Sequence, residues 1–127
     1  ARTMPIRYNP LMLMTMGAQS PPKKESAMIR HIVMWKLKES AEGVDKAVNL
    51  RRMKKLLESL PEKIPQIREF EVGVNAVPSD AAWDICLVSG FESKEDLDIY
   101  QKHPEHVKVG EFVGKVRESR ALVDYEK

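Results

Sequence analysis

Apolar and polar positions along this chain switch between a two-residue and a three-to-four-residue rhythm, and the switches mark out a β-α-β-β-α-β order. Over 28–38, Ile29, Val33, Trp35 and Leu37 fall on one side of a strand, with Ile32 and Met34 on the other. A strand apolar on both faces belongs in the middle of a sheet, with something covering each side. The rhythm then changes. Ala47, Leu50, Met53, Leu57 and Leu60 make one stripe of a helix over 44–60, preceded by a turn at 40–43 with helix-start chemistry. Arg51, Arg52, Lys54, Lys55 and Glu58 populate its other side, the pattern of a solvated face. Pro61 and Pro65 end it.

Strict alternation returns at 67–77, where Phe70, Val72, Val74 and Ala76 oppose Glu69, Glu71, Gly73 and Asn75, so a half-buried strand is predicted. Pro78-Ser79-Asp80 supplies a turn. The next strand, 83–91, is apolar on both faces, with Trp83, Ile85, Leu87 and Phe91 against Cys86 and Val88. Cys86 reads as a small core residue. Ser93, with Glu95 and Asp96 behind it, opens a helix whose Leu97 and Tyr100 face the sheet. A second helical piece from Pro104 to Val116 buries Val109, Phe112, Val113 and Val116, and 119–125 forms the last strand.

This order predicts an α+β, ferredoxin-like fold with an antiparallel four-stranded sheet and both helices on one face. The other face keeps apolar groups that a lone domain leaves wet. Pairing two sheets about a two-fold axis covers them, so a homodimer is expected.

The chemistry concentrates in 97–107. Tyr100, His103 and His106 stand at intervals of three, with Pro104 between the histidines. Proline cannot continue a helix from its amide side but suits the first position of a new one. One helix therefore ends near Lys102, another starts near Pro104, and the break turns a phenol and an imidazole towards one point. Such a pair can exchange protons near neutral pH. His106, in the first turn of its helix, is expected to be neutral; His103 is expected to act mainly as a cap. His31, in phase with Val33 and Trp35, reaches the same space if that face meets the helices.

The run Tyr100-x-x-His103-Pro104-x-His106, with Val107 and Gly110 after it, resembles the signature of the stress-responsive A/B barrel domain (Dabb) family. The strand from Arg30 to Lys38 is similar to that family's opening strand, and the resemblance covers 28–127. It implies two such domains closing into a dimeric α+β barrel. The best-understood enzyme of that family is olivetolic acid cyclase, a plant polyketide cyclase. By that resemblance His106 matches its catalytic base, Tyr100 the residue that holds and polarises the substrate, and His31 a further pocket histidine. Where the cyclase has another pocket histidine on its third strand, this chain has Ile85. Catalytic candidates are thus His106 and Tyr100, and ligand-binding candidates are His31, Trp35, Ile85, Leu97 and His103. The antibiotic-biosynthesis monooxygenases share the topology, but the Tyr100, His103-Pro104, His106 group argues against them.

Composition narrows the partners. The 127 residues carry 21 basic and 19 acidic side chains. Arg2, Arg7, Lys23 and Lys24 against Glu25 make residues 1–27 net +3, so the rest holds 17 basic and 18 acidic groups, net −1. Near-neutral, interleaved charge gives no footprint for nucleic acid, and no apolar run suits a membrane helix. Cys86 is the single cysteine, which excludes an internal disulfide and fits a cytoplasmic location. His31, His103 and His106 lack a completing carboxylate cluster, and no phosphate loop or nucleophile motif is present, so neither metal nor cofactor is expected. Residues 1–27, rich in proline and methionine, read as an extension and linker outside the fold. A short apolar patch at 11–18 behind arginines is a poor match to a signal or targeting peptide.

The expected function is that of a homodimeric domain binding a small apolar or carbonyl-containing molecule, with no assigned activity. A cofactor-independent cyclase or lyase acting on a polyketide-like carbonyl substrate is the alternative. A structural protein whose dimers assemble further is a second alternative.

Overall fold

Strand β1 (Ile29–Leu37) runs through the middle of the sheet, as its two-sided apolar pattern requires. The computed structural model describes residues 28–127; the extension expected at 1–27 lies outside the described residues. After β1 the chain forms β2 (Ser40–Ala41), β3 (Val44–Asp45), helix α1 (Lys46–Glu58), β4 (Glu69–Val74), β5 (Ile85–Phe91), α2 (Lys94–Lys102), α3 (Pro104–Val116) and β6 (Arg117–Glu126). The sheet order is β4-β5-β1-β6, every pair antiparallel, and this is the ferredoxin-like arrangement.

The chain differs from its sequence pattern first at 40–45. Glu42 and Gly43 have φ of +53° and +80°, the left-handed pair that closes a two-residue hairpin. That hairpin pairs β2 with β3. The helix consequently starts at Lys46, with Asp45 as its cap accepting from the Val48 amide at 3.0 Å. Its buried stripe is also rotated. Asn49, not Ala47 or Leu50, joins Met53 and Leu57 in the interior, because its Nδ2 donates to the Ala41 carbonyl at 3.0 Å. The hairpin thus supplies an acceptor for the amide end of this buried side chain, while its Oδ1 has no partner among the described residues.

Other boundaries shift for similar reasons. β5 begins at Ile85, because Asp84 breaks the apolar run: its carboxylate accepts from the Leu37 amide at 2.8 Å and pairs with Lys46. Trp83 therefore lies outside the strand, under the Lys36 ammonium. Beyond Val74 the alternating pattern continues in sequence but not in pairing, so Val77 is exposed.

The helices cover one face of the sheet. Ile29, Val33, Trp35 and Leu37 of β1, Leu87 and Phe91 of β5, and Tyr100, Val109 and Val113 from the helices make the core. The opposite face carries Ile32, Met34, Cys86, Val88, Ala121 and Val123 in neighbouring registers. Cys86 is half-buried on this bare face, not in the core, because its parity on β5 is opposite to that of Ile85 and Leu87. The three helices span β4, β5 and β1 more fully than β6, whose residues are mostly exposed.

Candidate functional site

The α2–α3 break is built by His103. Its backbone is extended, it closes α2 by donating its amide to the Tyr100 carbonyl at 3.2 Å, and its Nδ1 accepts from the Glu105 amide at 3.0 Å. One residue therefore caps two helices, with Pro104 first in the second. His106 follows on the inner side of the turn. Its Nδ1 donates to the Gln101 carbonyl at 3.1 Å, one of the acceptors that the end of α2 leaves without a helical partner. An acceptor there fixes the proton on Nδ1, so the Nε2 of a neutral ring keeps its lone pair.

Tyr100 is fully buried and its ring lies 4.5 Å from that of His106, 4.9 Å from Phe91 and 6.0 Å from His31. Its hydroxyl has no hydrogen-bond partner among the described residues. Burial pushes the phenol pKa well above its ordinary value, against a smaller opposing pull from the Arg120 charge, so the group remains a donor throughout the neutral range. His31 comes from β1 and is held by its cross-strand neighbour in β6: Nδ1 donates to Asp124 Oδ1 at 2.5 Å. Ser89, facing it on β5, donates to the His31 carbonyl at 2.8 Å.

These groups border one cavity of about 180 Å³ between α1, α3 and the sheet. Its polar wall is His31, Trp35, Tyr100, His106, Arg117 and Arg120. Val33, Leu57, Leu87, Val109 and Val113 supply the apolar wall. Gly110, one turn after His106, also borders it, and a Cβ there would meet only open space.

Four of the seven residues singled out from sequence therefore converge: His31, Trp35, Tyr100 and His106. The other three do not border this cavity. Ile85 is buried across from Trp35 and opens on a different depression with Met34 and Cys86. Leu97 packs in the core near the opposite end of the sheet. His103 spends its ring nitrogen on the Glu105 amide. Asp124, Arg117, Arg120 and the Gln101 carbonyl are not evident in the sequence, because they enter through strand pairing and a helix end. The alternation of Arg120, Leu122 and Asp124 on the last strand is the only signal, and it reads as an ordinary solvated edge.

The His106 pKa is held below the ordinary imidazole value. Burial is the main cause, opposed by the Gln101 carbonyl and reinforced by the charges of His31, Arg120 and His103. Its neutrality thus follows from desolvation rather than chiefly from its helix end. The unfolded chain then binds a proton on this residue before the folded chain does. Stability is full above the ordinary histidine pKa and is lost as pH falls from there through the depressed folded value. His106→Asn is expected to flatten that part of the stability–pH curve, read by urea unfolding across the acidic range. An unchanged curve would place the shift elsewhere.

Comparison with known proteins agrees with this architecture. The family model for the stress responsive A/B barrel domain matches residues 29–127. The chain is 29% identical over 105 residues to a stress-response A/B barrel domain-containing protein of Arabidopsis thaliana, covering 82% of this chain and 37% of that protein's length. A crystal structure of a dimeric protein of unknown function with a ferredoxin-like fold, from Bacteroides fragilis, is 42% identical with a TM-score of 0.71. It covers 79% of this chain and 96% of that one. The hydroxynitrile lyase of Passiflora edulis shares the fold at 19% identity and a TM-score of 0.66, over 80% of this chain and 94% of its own. Among the described residues no helix is long and apolar enough to cross a membrane.

Proposed function

From a chain that belongs to the stress responsive A/B barrel domain family, we propose a homodimer in which each protomer binds one small carbonyl-bearing molecule in the Tyr100–His106 cavity. The observation that carries this reading is Tyr100, a lining residue of the cavity whose buried hydroxyl has no partner among the described residues, in a wall of six polar and five apolar side chains. An unpaired buried donor costs about 1–3 kcal/mol. A ligand carbonyl is the acceptor that would recover it. The volume of about 180 Å³ suits a ligand smaller than a drug-like molecule. The dimer rests on the bare apolar face of the sheet and on the dimeric Bacteroides relative.

A second reading is favoured by the His106 tautomer. A neutral imidazole with Nδ1 engaged has Nε2 free to take a proton. With Tyr100 donating to the substrate oxygen, the pair suits making or breaking a carbon–carbon bond beside a carbonyl. In the closing direction His106 removes a proton from carbon next to a ketone and returns it to the aldol product. In the cleaving direction it takes the hydroxyl proton of a cyanohydrin as cyanide departs. The first matches the polyketide-cyclase resemblance, the second the name of the Passiflora neighbour, and neither needs a cofactor.

The test is a titration followed by two-dimensional NMR, using acetoacetyl-N-acetylcysteamine, benzaldehyde and mandelonitrile at millimolar concentration. At least one is expected to shift the Trp35, Tyr100 and His106 signals together. If all three leave those signals in place, the binding reading falls. Turnover above background by the wild type but not by His106→Asn would establish the second reading as well.

A further inference from the structure

We infer that the cavity selects a carboxylate-bearing ligand, a small oxo acid with a short apolar tail, and that Arg120, with Arg117 beside it, is the specificity-determining group. This inference rests on the proposed carbonyl-binding site and adds the sign of its ligand's charge. Three observations carry it.

The first is the balance of polar groups in the wall. Trp35 and Tyr100, two of the lining residues, carry the buried donors Nε1 and Oη, which have no partners among the described residues. Arg117 and Arg120 add guanidinium donors at the exposed rim. The acceptors available are imidazole nitrogens of His31 and His106, each ring already having one nitrogen engaged. A wall so weighted towards donors asks for a ligand rich in acceptors.

The second is that these cations are unspent. Among the described residues no carboxylate stands within ion-pairing distance of Arg117 or Arg120. Asp124, the carboxylate two positions beyond Leu122 on the same side of β6, is held by His31. An arginine presents a fixed planar fork that matches a carboxylate with two parallel hydrogen bonds.

The third is position. Arg120 is the register partner of Trp35 across β1 and β6, and its charge is felt at both the Tyr100 phenol and the His106 ring. It therefore stands near the donor that would hold the ligand carbonyl and near the imidazole beside it. A carboxylate on Arg120 and an oxo group on Tyr100 fit one molecule, whose tail meets Val33, Leu57 and Val113.

The experiment compares 4-methyl-2-oxopentanoate with its methyl ester by isothermal titration on the full chain. One charge-assisted contact predicts that the acid binds about tenfold or more tightly than the ester. Arg120→Gln is expected to bring the two affinities together by weakening the acid alone, and Arg120→Lys to restore part of the gap. Arg117→Gln serves as the second variant, with a smaller loss. Thermal unfolding of each variant should match the wild type, since both side chains are exposed. Equal affinities in the wild type, or a gap that both glutamine variants leave intact, would overturn the inference while the carbonyl site stood. Failure of both compounds, together with silence in the NMR titration, would bring down the site itself.

Discussion

Tyr100→Phe is expected to make the protein more stable and its cavity less competent. The ring would keep its packing against Phe91, Phe70 and His106, at 4.9, 6.4 and 4.5 Å between centroids. Only the hydroxyl is lost, and it is buried without a partner among the described residues. Removing an orphaned buried donor releases its desolvation penalty, about 1–3 kcal/mol. For a domain of this size that raises the midpoint of thermal unfolding by several degrees, at roughly 4–8 °C per kcal/mol. The same substitution takes away the donor proposed to hold the ligand oxygen, and one such hydrogen bond corresponds to about a tenfold loss in affinity. Stability and binding thus move in opposite directions, which a purely structural tyrosine would not produce. Differential scanning calorimetry beside the carbonyl titration reads both. A lower melting midpoint for Tyr100→Phe would show that the hydroxyl has a structural partner, and the functional reading of it would fail. Tyr100→Ala cannot serve instead, because deleting a buried ring costs about 3–5 kcal/mol whatever the hydroxyl does.

The fold is legible wherever one residue type leaves few options. Two apolar faces place β1 centrally, and the sheet order agrees. Pro104 places the helix break, and His103 caps both sides of it. Local chemistry decides such features, so a single sequence displays them. The 40–45 hairpin is hidden although it is local, because Glu42 occupies a left-handed position that usually takes asparagine or glycine.

The site is legible only in part, and the reason is register. Periodicity says which face of a strand a residue shares, but not which residue of another strand lies beside it. His31 and Asp124 are 93 positions apart, and only the β1–β6 pairing brings them together. The same pairing sets Arg120 beside Trp35. Ile85 and Leu97 show the converse. Both point into the core, as their spacing predicts, yet the cavity opens beneath α3 towards β6, and neither residue borders it. A family signature names the tyrosine and the histidines. It does not name the arginines, which lie outside the motif on an exposed edge strand.

Met34→Asp is expected to convert the proposed dimer into a folded monomer. Met34 sits on the central strand, on the face the helices leave bare, between Cys86 on one side and Ala121 on the other. Two residues back along β1, Ile32 lies between Val88 and Val123, so these two rows form a continuous apolar band across three strands. In the lone protomer Met34 is 38% exposed. A carboxylate there stays hydrated, and a surface substitution of that kind changes stability by only ~0.5 kcal/mol. In a face-to-face dimer the same carboxylate meets the partner's apolar band without a counter-charge, and burying an unpaired charge costs several kcal/mol. The substitution acts on each of two symmetry-related positions, so its penalty enters twice. Light scattering should therefore give twice the chain mass for the wild type and the single mass for Met34→Asp. Circular dichroism should be unchanged. The sharper outcome concerns the cavity, which lies on the opposite side of the sheet from Met34. If the monomeric variant still shifts the Tyr100 and His106 signals with the same ligand, each protomer carries a complete site and the dimer only dries the sheet. A wild type that is monomeric at micromolar concentration would leave the apolar band wet and remove the physical reason for pairing.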